Sequence, residues 1–350
     1  MRKILIVRLG AMGDILHALP AVTAIRAALP DAIIGWVVEN KWSELLAASG
    51  HELTGDTVNS LRPVVNHLHC VDTQGWRKNL HRSGTAGTIR GVVKAIRSMH
   101  YDLALDFQGA IKSAVMARLS GAQARAGFTD PRESTARFFY SRRYRRIGEH
   151  VIEQNAGLAS QALNCRIEPL RPLLPADPAA ERWADAEIAR LGIASFVMMN
   201  PGAGWGAKQW PSQRYGEVAK ALAVHGLKTL VNAAPGEETL AQELMDAAGG
   251  QAFMIRCTIG ELTALTRRAR LFVGGDTGPL HLATALGVPT VGLFGPTDPA
   301  RTGPFGEKCI AIRHPESQTT FSHHREIEQG LLKITVEETI SAARFLLGQR

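Results

Sequence analysis

Short apolar runs alternate with helically spaced stretches along most of the chain. Lys3–Arg8 reads as a strand, Asp14–Leu29 as a helix and Ala32–Val38 (AIIGWVV) as the next strand. Val64–Val71 and Leu103–Asp106 continue the strands, with helices near Thr88–Met99 and Ala110–Leu119. Strands that alternate with helices predict a parallel sheet joined by right-handed crossovers. The pattern breaks between Cys165 and Trp183, where Pro169, Pro172, Pro175 and Pro178 recur every three residues. That spacing disfavours helix and predicts an extended linker over residues 166–180. The alternation then restarts. Strands are expected at Phe196–Asn200, Lys228–Val231, Ala252–Arg256, Leu271–Val273 and Thr290–Phe294. Helices are expected at Gln213–His225, Glu237–Ala248, Pro279–Leu286 and near Val336–Leu347.

The fold class is therefore α/β: two doubly wound, Rossmann-like domains, residues 1–165 and 181–350, with no close internal sequence repeat. The last helix is open to crossing back onto the first domain. Open sheets of this kind bind ligands at the carboxyl ends of their strands, so the chemistry is expected at strand-to-helix turns from both halves, facing a cleft.

Four turns stand out. In Val273-Gly-Gly-Asp-Thr-Gly-Pro-Leu-His281 a strand runs through glycines into a helix, with Pro279 suited to its first position. The amides of Thr277 and Gly278 would then point from the positive end of the helix, a ready phosphate site, and Thr277 adds a hydroxyl. Asp276 beside them can serve as an ordinary helix cap. Met199-Asn-Pro-Gly-Ala-Gly-Trp-Gly-Ala-Lys-Gln-Trp-Pro211 combines small residues with Lys208, a cation suited to a leaving diphosphate. In Asn232-Ala-Ala-Pro-Gly-Glu-Glu238, Glu237 can take ribose hydroxyls or be a first-turn acid favoured by the dipole. Leu9-Gly-Ala-Met-Gly-Asp14 places a carboxylate where a helix should begin, behind Gly10 and Gly13.

With 350 residues, 45% of them apolar and 21% charged, the chain has room for about two soluble globular domains. Arg8 ends the first apolar run too early for a signal peptide, and no run is long enough to span a membrane. The four cysteines, Cys70, Cys165, Cys257 and Cys309, are far apart, which suits reduced thiols in a cytoplasm. A net charge of +8 favours an anionic partner. No zinc-finger, KH or RNP signature directs that charge to nucleic acid. There is no Asp-x-Asp pair to hold a cation on a diphosphate. The close histidine sets, His67-Leu-His69 and His323-His324, lack an obvious third ligand and read as surface residues. No metal and no cofactor are expected.

Taken together, MGDILHALPAV, DFQGAIKSA, AKQWP and GGDTGPLHLATALGVPTVGLFGPTDP resemble the lipopolysaccharide-core heptosyltransferases along nearly the whole chain. The resemblance implies a GT-B fold, an ADP-heptose donor, inversion at the anomeric carbon and no metal. It is greatest to the heptosyltransferase I branch, which adds the first heptose to Kdo on lipid A. The loop NPGAGWGAKQWP instead resembles the branch that adds the second heptose. Carried over by residue, the resemblance makes Asp14 the general base and puts Lys208, Asp276, Thr277 and Gly278 at the donor diphosphate. Glu237 falls on the ribose acid, and His281 on a donor-side histidine. Gly13, Arg77, Lys78, Lys112 and Arg132 fall on the acceptor side, where a further family arginine is replaced by Gln154. The implied partners are ADP-heptose, Kdo-lipid A and the anionic inner-leaflet surface, with the enzyme peripheral at the cytoplasmic face. Two alternatives remain at this point: the second heptosyltransferase, and a non-catalytic nucleotide- or nucleic-acid-binding module.

Overall fold

The computed structural model describes residues 2–79, 83–320 and 326–348. His323-His324 lies outside them. The chain divides into two compact units that meet in sequence at Asp177 and Pro178.

The first unit runs β1 (Lys3–Val7), α1 (Met12–Ala28), β2 (Ile33–Glu39), β3 (His67–Val71), α2 (Thr73–Lys78), α3 (Ser83–Ser98), β4 (Leu103–Asp106), α4 (Ile111–Leu119), β5 (Ala124–Phe128), β6 (Arg142–Tyr144) and α5 (Val151–Leu163). Its six strands are parallel in the order β3-β2-β1-β4-β5-β6. The second unit runs α6 (Pro178–Leu191), β7 (Phe196–Asn200), α7 (Ser212–Ala223), β8 (Lys228–Asn232), α8 (Glu238–Ala247), β9 (Ala252–Ile255), α9 (Ile259–Arg268), β10 (Leu271–Gly275), α10 (Gly278–Leu286), β11 (Thr290–Phe294), α11 (Pro299–Thr302), β12 (Cys309–Arg313), α12 (Gln329–Lys333) and α13 (Val336–Leu347). Its sheet order is β12-β11-β10-β7-β8-β9. Counted from the first strand of each unit, the two orders are the same. Each reverses direction beside its own first strand, and ligands of such sheets bind at that reversal.

The central strands are buried on both faces, which is why they read as unbroken apolar runs. Helix α1 is also buried nearly all round, packed against α5. Residues 169–176 form neither helix nor strand, and they are strapped to the first unit. The Leu170 amide donates to the Pro20 carbonyl, Leu173 to Thr23 Oγ1, and Ala176 to the Ser60 carbonyl. Pro178 opens α6 rather than continuing the extension, because the first turn of a helix needs no amide donor there. Helix α13 packs on α7 and beside β10, β11 and β12, within its own unit rather than crossing back. The Thr335/Glu338 capping box starts it, and Gly348, in the left-handed region at φ 68°, ends it.

His67 and His69 are buried in β3, not on the surface. A Cβ on Gly35 would lie 1.9 Å from the Tyr101 hydroxyl, so glycine in β2 admits that ring. The hydroxyl in turn meets His69 Nε2 at 2.8 Å. Burial pushes His69 down to about 4. The unfolded chain therefore binds the extra proton first, and stability falls as pH drops from about 6.5 towards 4. The full window corresponds to roughly 3 kcal/mol. Urea unfolding at pH 7 and pH 4.5 should show a smaller pH penalty in His69→Gln, which keeps a partner for Tyr101 but cannot titrate. An unchanged penalty would place the acid sensitivity elsewhere.

Candidate active site

In the second unit the turn after β7 meets the turn after β10, at the reversal of the sheet. A short 3-10 turn, Gly206–Lys208, brings Lys208 Nζ to 2.5 Å from Asp276 Oδ2 and 3.5 Å from the Asp276 carbonyl. The other carboxylate oxygen meets His281 Nε2 at 3.0 Å. Burial raises the Asp276 carboxyl, but the His281 contact and the Lys208 ammonium together hold it well below the usual carboxylate range. Asp276 is thus a charged anchor between a lysine and a histidine, not the helix cap. The cap is Thr277, with Gly278 as the first helical residue and Pro279 as the second. Thr277 Oγ1 is buried without a hydrogen-bond partner, although α10 starts directly beyond it. A buried hydroxyl of this kind costs free energy until a ligand satisfies it. The ammonium, the free hydroxyl and the positive end of α10 form one cationic corner, suited to a phosphate.

The neighbouring turn after β8 supplies Glu237. Its carboxylate accepts the Ala234 amide at 3.0 Å, and burial raises its pKa. A Cβ on Gly202 would sit 2.0 Å from the Glu237 carboxyl carbon, so glycine here is what lets the β7 loop close over that acid. Asn200 Nδ2 holds the Gly202 carbonyl, and Asn232 Nδ2 holds Asn200 Oδ1, each at 2.7 Å.

In the first unit the same edge carries Asp14. It lies in the first turn of α1, half-exposed, and accepts the Ala11 amide through Oδ2 at 3.0 Å. Its Oδ1 lies 2.5 Å from Arg8 Nη2. Arg8, read from sequence only as the end of a strand, is buried, and its Nη1 donates to the Phe107 carbonyl at 2.7 Å. The Leu9 amide donates to Gln108 Oε1, so the turns after β1 and β4 are tied together. Asp106 anchors the second of these turns. Its fully buried carboxylate accepts the Gln108 and Gly109 amides and the hydroxyls of Ser113 and Tyr140. Burial raises this carboxyl, while all four donors favour its anion.

The proposed acceptor cations lie on segments that follow β3, β4 and β5. Lys112 is half-exposed, 3.9 Å from Glu39 Oε1. Glu39 also accepts both the amide and the hydroxyl of Thr73, at the start of α2, whose last turn carries exposed Arg77 and Lys78. Gly109, at φ 66°, lets the backbone of exposed Arg132 pass close by, where a Cβ would be 3.1 Å from its amide. Gly13 lies one residue ahead of Asp14 in α1. Gln154 is buried and accepts Arg146 Nη1 at 2.9 Å; Arg146 also pairs with Asp130 and lies over the Phe128 ring. Sequence reading gave no role to Arg8, Gln108 or Arg146, although Gln108 stands in the DFQGAIKSA motif and Arg8 is a charge at the end of an apolar strand. Among the described residues, no group of three or more His, Cys, Asp and Glu could hold a metal ion.

Comparison with known proteins agrees with this architecture. Residues 89–331 match glycosyltransferase family 9 (heptosyltransferase). Lipopolysaccharide heptosyltransferase 1 of Pseudomonas aeruginosa is 32% identical over 314 residues, which cover 89% of this chain and 83% of that protein. The Escherichia coli protein of that name is 26% identical over 317 residues, 89% of this chain and 94% of its own. Among solved structures, E. coli heptosyltransferase WaaC with ADP superposes at TM-score 0.78 and 24% identity, over 98% of this chain and 99% of that one. A glycosyl transferase family 9 structure from Veillonella parvula reaches 0.82 at 20% identity, over 99% and 97%. These structures share the GT-B arrangement of two parallel sheets. The chain belongs to glycosyltransferase family 9, the heptosyltransferases.

Proposed function

We propose that this enzyme transfers heptose from ADP-heptose, with inversion, to Kdo of lipid A, working at the cytoplasmic face of the inner membrane. The second unit binds the donor and the first unit binds the acceptor. The observation that carries this reading is the division of charge between the two carboxyl edges. One offers a cationic corner for a diphosphate, built from Lys208, Thr277 and the start of α10. The other offers a partly exposed carboxylate, Asp14, at the start of α1 and paired with Arg8. An inverting transfer needs this division: a base for the acceptor hydroxyl and, opposite it, stabilisation of the leaving diphosphate. The proton passes from the acceptor hydroxyl to Asp14, the new glycosidic bond forms from that oxygen, and the bond to the diphosphate breaks. His281 and Asp276 hold Lys208 in place, and Glu237 takes the ribose.

Similarity to proteins named heptosyltransferase 1 over nearly nine-tenths of the chain supports Kdo-lipid A as the acceptor. Turnover of ADP-heptose against Kdo-lipid A and against its heptosylated form tests this. Preference for the heptosylated acceptor would assign the enzyme to the second addition.

Arg77, Lys78, Lys112 and Arg132 would meet Kdo carboxylates and lipid A phosphates. Several exposed cations acting on one polyanion are screened together, so acceptor KM should rise with salt while donor KM changes less. Parallel salt dependence of both constants would remove these residues from the acceptor site.

A further inference from the structure

We propose that one face of the first unit, formed by α3, α4 and residues 134–143, docks on an anionic lipid bilayer. The proposal extends the reading of a lipid-linked acceptor and is tested separately from it. Residues 73–148 contain fifteen Lys and Arg against four Asp and Glu, an excess of eleven in a chain whose total excess is eight. The remainder of the protein is therefore slightly acidic. Two of those four acids are already engaged: Asp106 is buried, and Asp130 pairs with Arg146.

The structure places six of these cations on one side of the sheet. Val92 and Ile96 of α3 and Met116 and Ala117 of α4 pack into one apolar cluster with Leu5, Val7 and Ala104. Ala136 and Tyr140 pack on Ala114 of α4. Gly127 of β5 faces Tyr140, and the β5–β6 register pairs Gly127 with Arg143, which places Arg143 on this same side. Arg90, Lys94, Arg97, Arg118, Arg137 and Arg143 are exposed around it. Among the described residues none of these six forms an ion pair.

Apolar side chains stand among them. Phe138 is 73% exposed, Ile111 44% and Leu119 38%. Charge on β6 is explained by the need to keep a sheet edge from pairing. That need does not explain cations on two helices, or a phenylalanine standing in water. Cations for anionic headgroups with apolar side chains between them are the composition of an interfacial surface. Nucleic acid fits less well: Phe138 is a single exposed ring on this face, with Arg137 beside it, and offers no row of stacking platforms. No helix among the described residues is long and apolar enough to cross a membrane, so attachment through this face would be peripheral.

The test is co-sedimentation of the full-length protein with vesicles that contain no acceptor. One set is phosphatidylcholine alone, and the other is phosphatidylglycerol and phosphatidylcholine in equal parts. Binding should require phosphatidylglycerol and weaken with salt. At about fivefold per cation, removing two cations in Arg90→Glu/Lys94→Glu or in Arg137→Glu/Arg143→Glu should weaken it at least about 25-fold. Phe138→Ser should weaken it severalfold. Lys220→Glu/Lys308→Glu makes the same charge change on the second unit and should have little effect. All variants should melt with the parent and turn over a soluble Kdo acceptor normally. Equal binding to both vesicle types, face reversals no more harmful than the control pair, or an oligonucleotide duplex that strips the protein from vesicles would each overturn the proposal. Because the vesicles lack acceptor, failure here leaves the Kdo reading intact, and failure of Kdo turnover leaves this surface intact.

Discussion

Asp14→Asn should fold and bind ADP like the parent protein, yet lose on the order of a hundredfold or more in kcat. The substitution changes almost nothing except the charge. The side-chain oxygen can still accept the Ala11 amide, so the start of α1 keeps its satisfied donor. What disappears is the anion that pairs with Arg8 and, in the proposed mechanism, takes the acceptor proton. The Ala11 amide at the helix start and the Arg8 guanidinium both hold the carboxylate in one orientation. Its contribution therefore comes mainly from position, with Arg8 and the Ala11 amide fixing the two oxygens while half-exposure leaves room for the acceptor hydroxyl. Thermal melts, ADP titration and kcat on one preparation decide the matter. A variant that melts several degrees lower but keeps most of its turnover would make Asp14 a cap and put the base elsewhere.

Lys208→Ala should cost about a hundredfold in rate, roughly 3 kcal/mol, comparable to losing one charge-stabilising donor in a preorganised site. The structure adds a reason for the size of the effect. Nζ lies beside the Asp276 carboxylate and over the Trp205 ring at 4.5 Å, so it is held near the start of α10 before any substrate arrives. Removing it strips charge from the diphosphate corner and also leaves Asp276 with His281 alone, an anion where the leaving group needs cations. Lys208→Arg, which keeps the charge but not the compact ammonium, should recover part of the loss. These assays belong in EDTA, where the parent should remain active. Loss of parent activity that magnesium restores would transfer the leaving-group role from Lys208 to a cation, and full activity in Lys208→Ala would remove the residue from the mechanism.

Much of the fold was legible because buried parallel strands announce themselves. Leu103–Asp106, Phe196–Asn200 and Thr290–Phe294 form strands with the expected limits. The strands that escaped notice are short or carry charge: ARAGF in β5, RRY at one sheet edge and CIAIR at the other. Helix α6 was hidden by Pro178, which reads as one more proline of an extended run until the helix beyond it is seen. Turn chemistry marked Asp276, Thr277 and Gly278 at one helix start and Lys208 on a separate turn, and the family resemblance put them together and added His281. It could not show that Asp276 faces Lys208 and His281 rather than the helix amides. Nor could it show Arg8 at the Phe107 carbonyl, a contact between residues 99 apart in sequence. Periodicity reports which side of an element is buried, and such pairings depend instead on which strands become neighbours.

The Asp106 carboxylate has a consequence for how this enzyme can change. Donors from three separated segments converge on it, namely the turn after β4, Ser113 in α4 and Tyr140 near β6. Replacing Asp106 strands all of these donors in the interior, and losing a donor leaves the buried carboxylate less satisfied, so drift at positions 106, 113 and 140 must be concerted. Lys112 and Arg132 stand beside that hub with their side chains in solvent, and each can be exchanged singly without disturbing it. The first unit thus has a fixed frame and a free rim along one edge, and new acceptor preferences can be explored at the rim without putting the fold at risk.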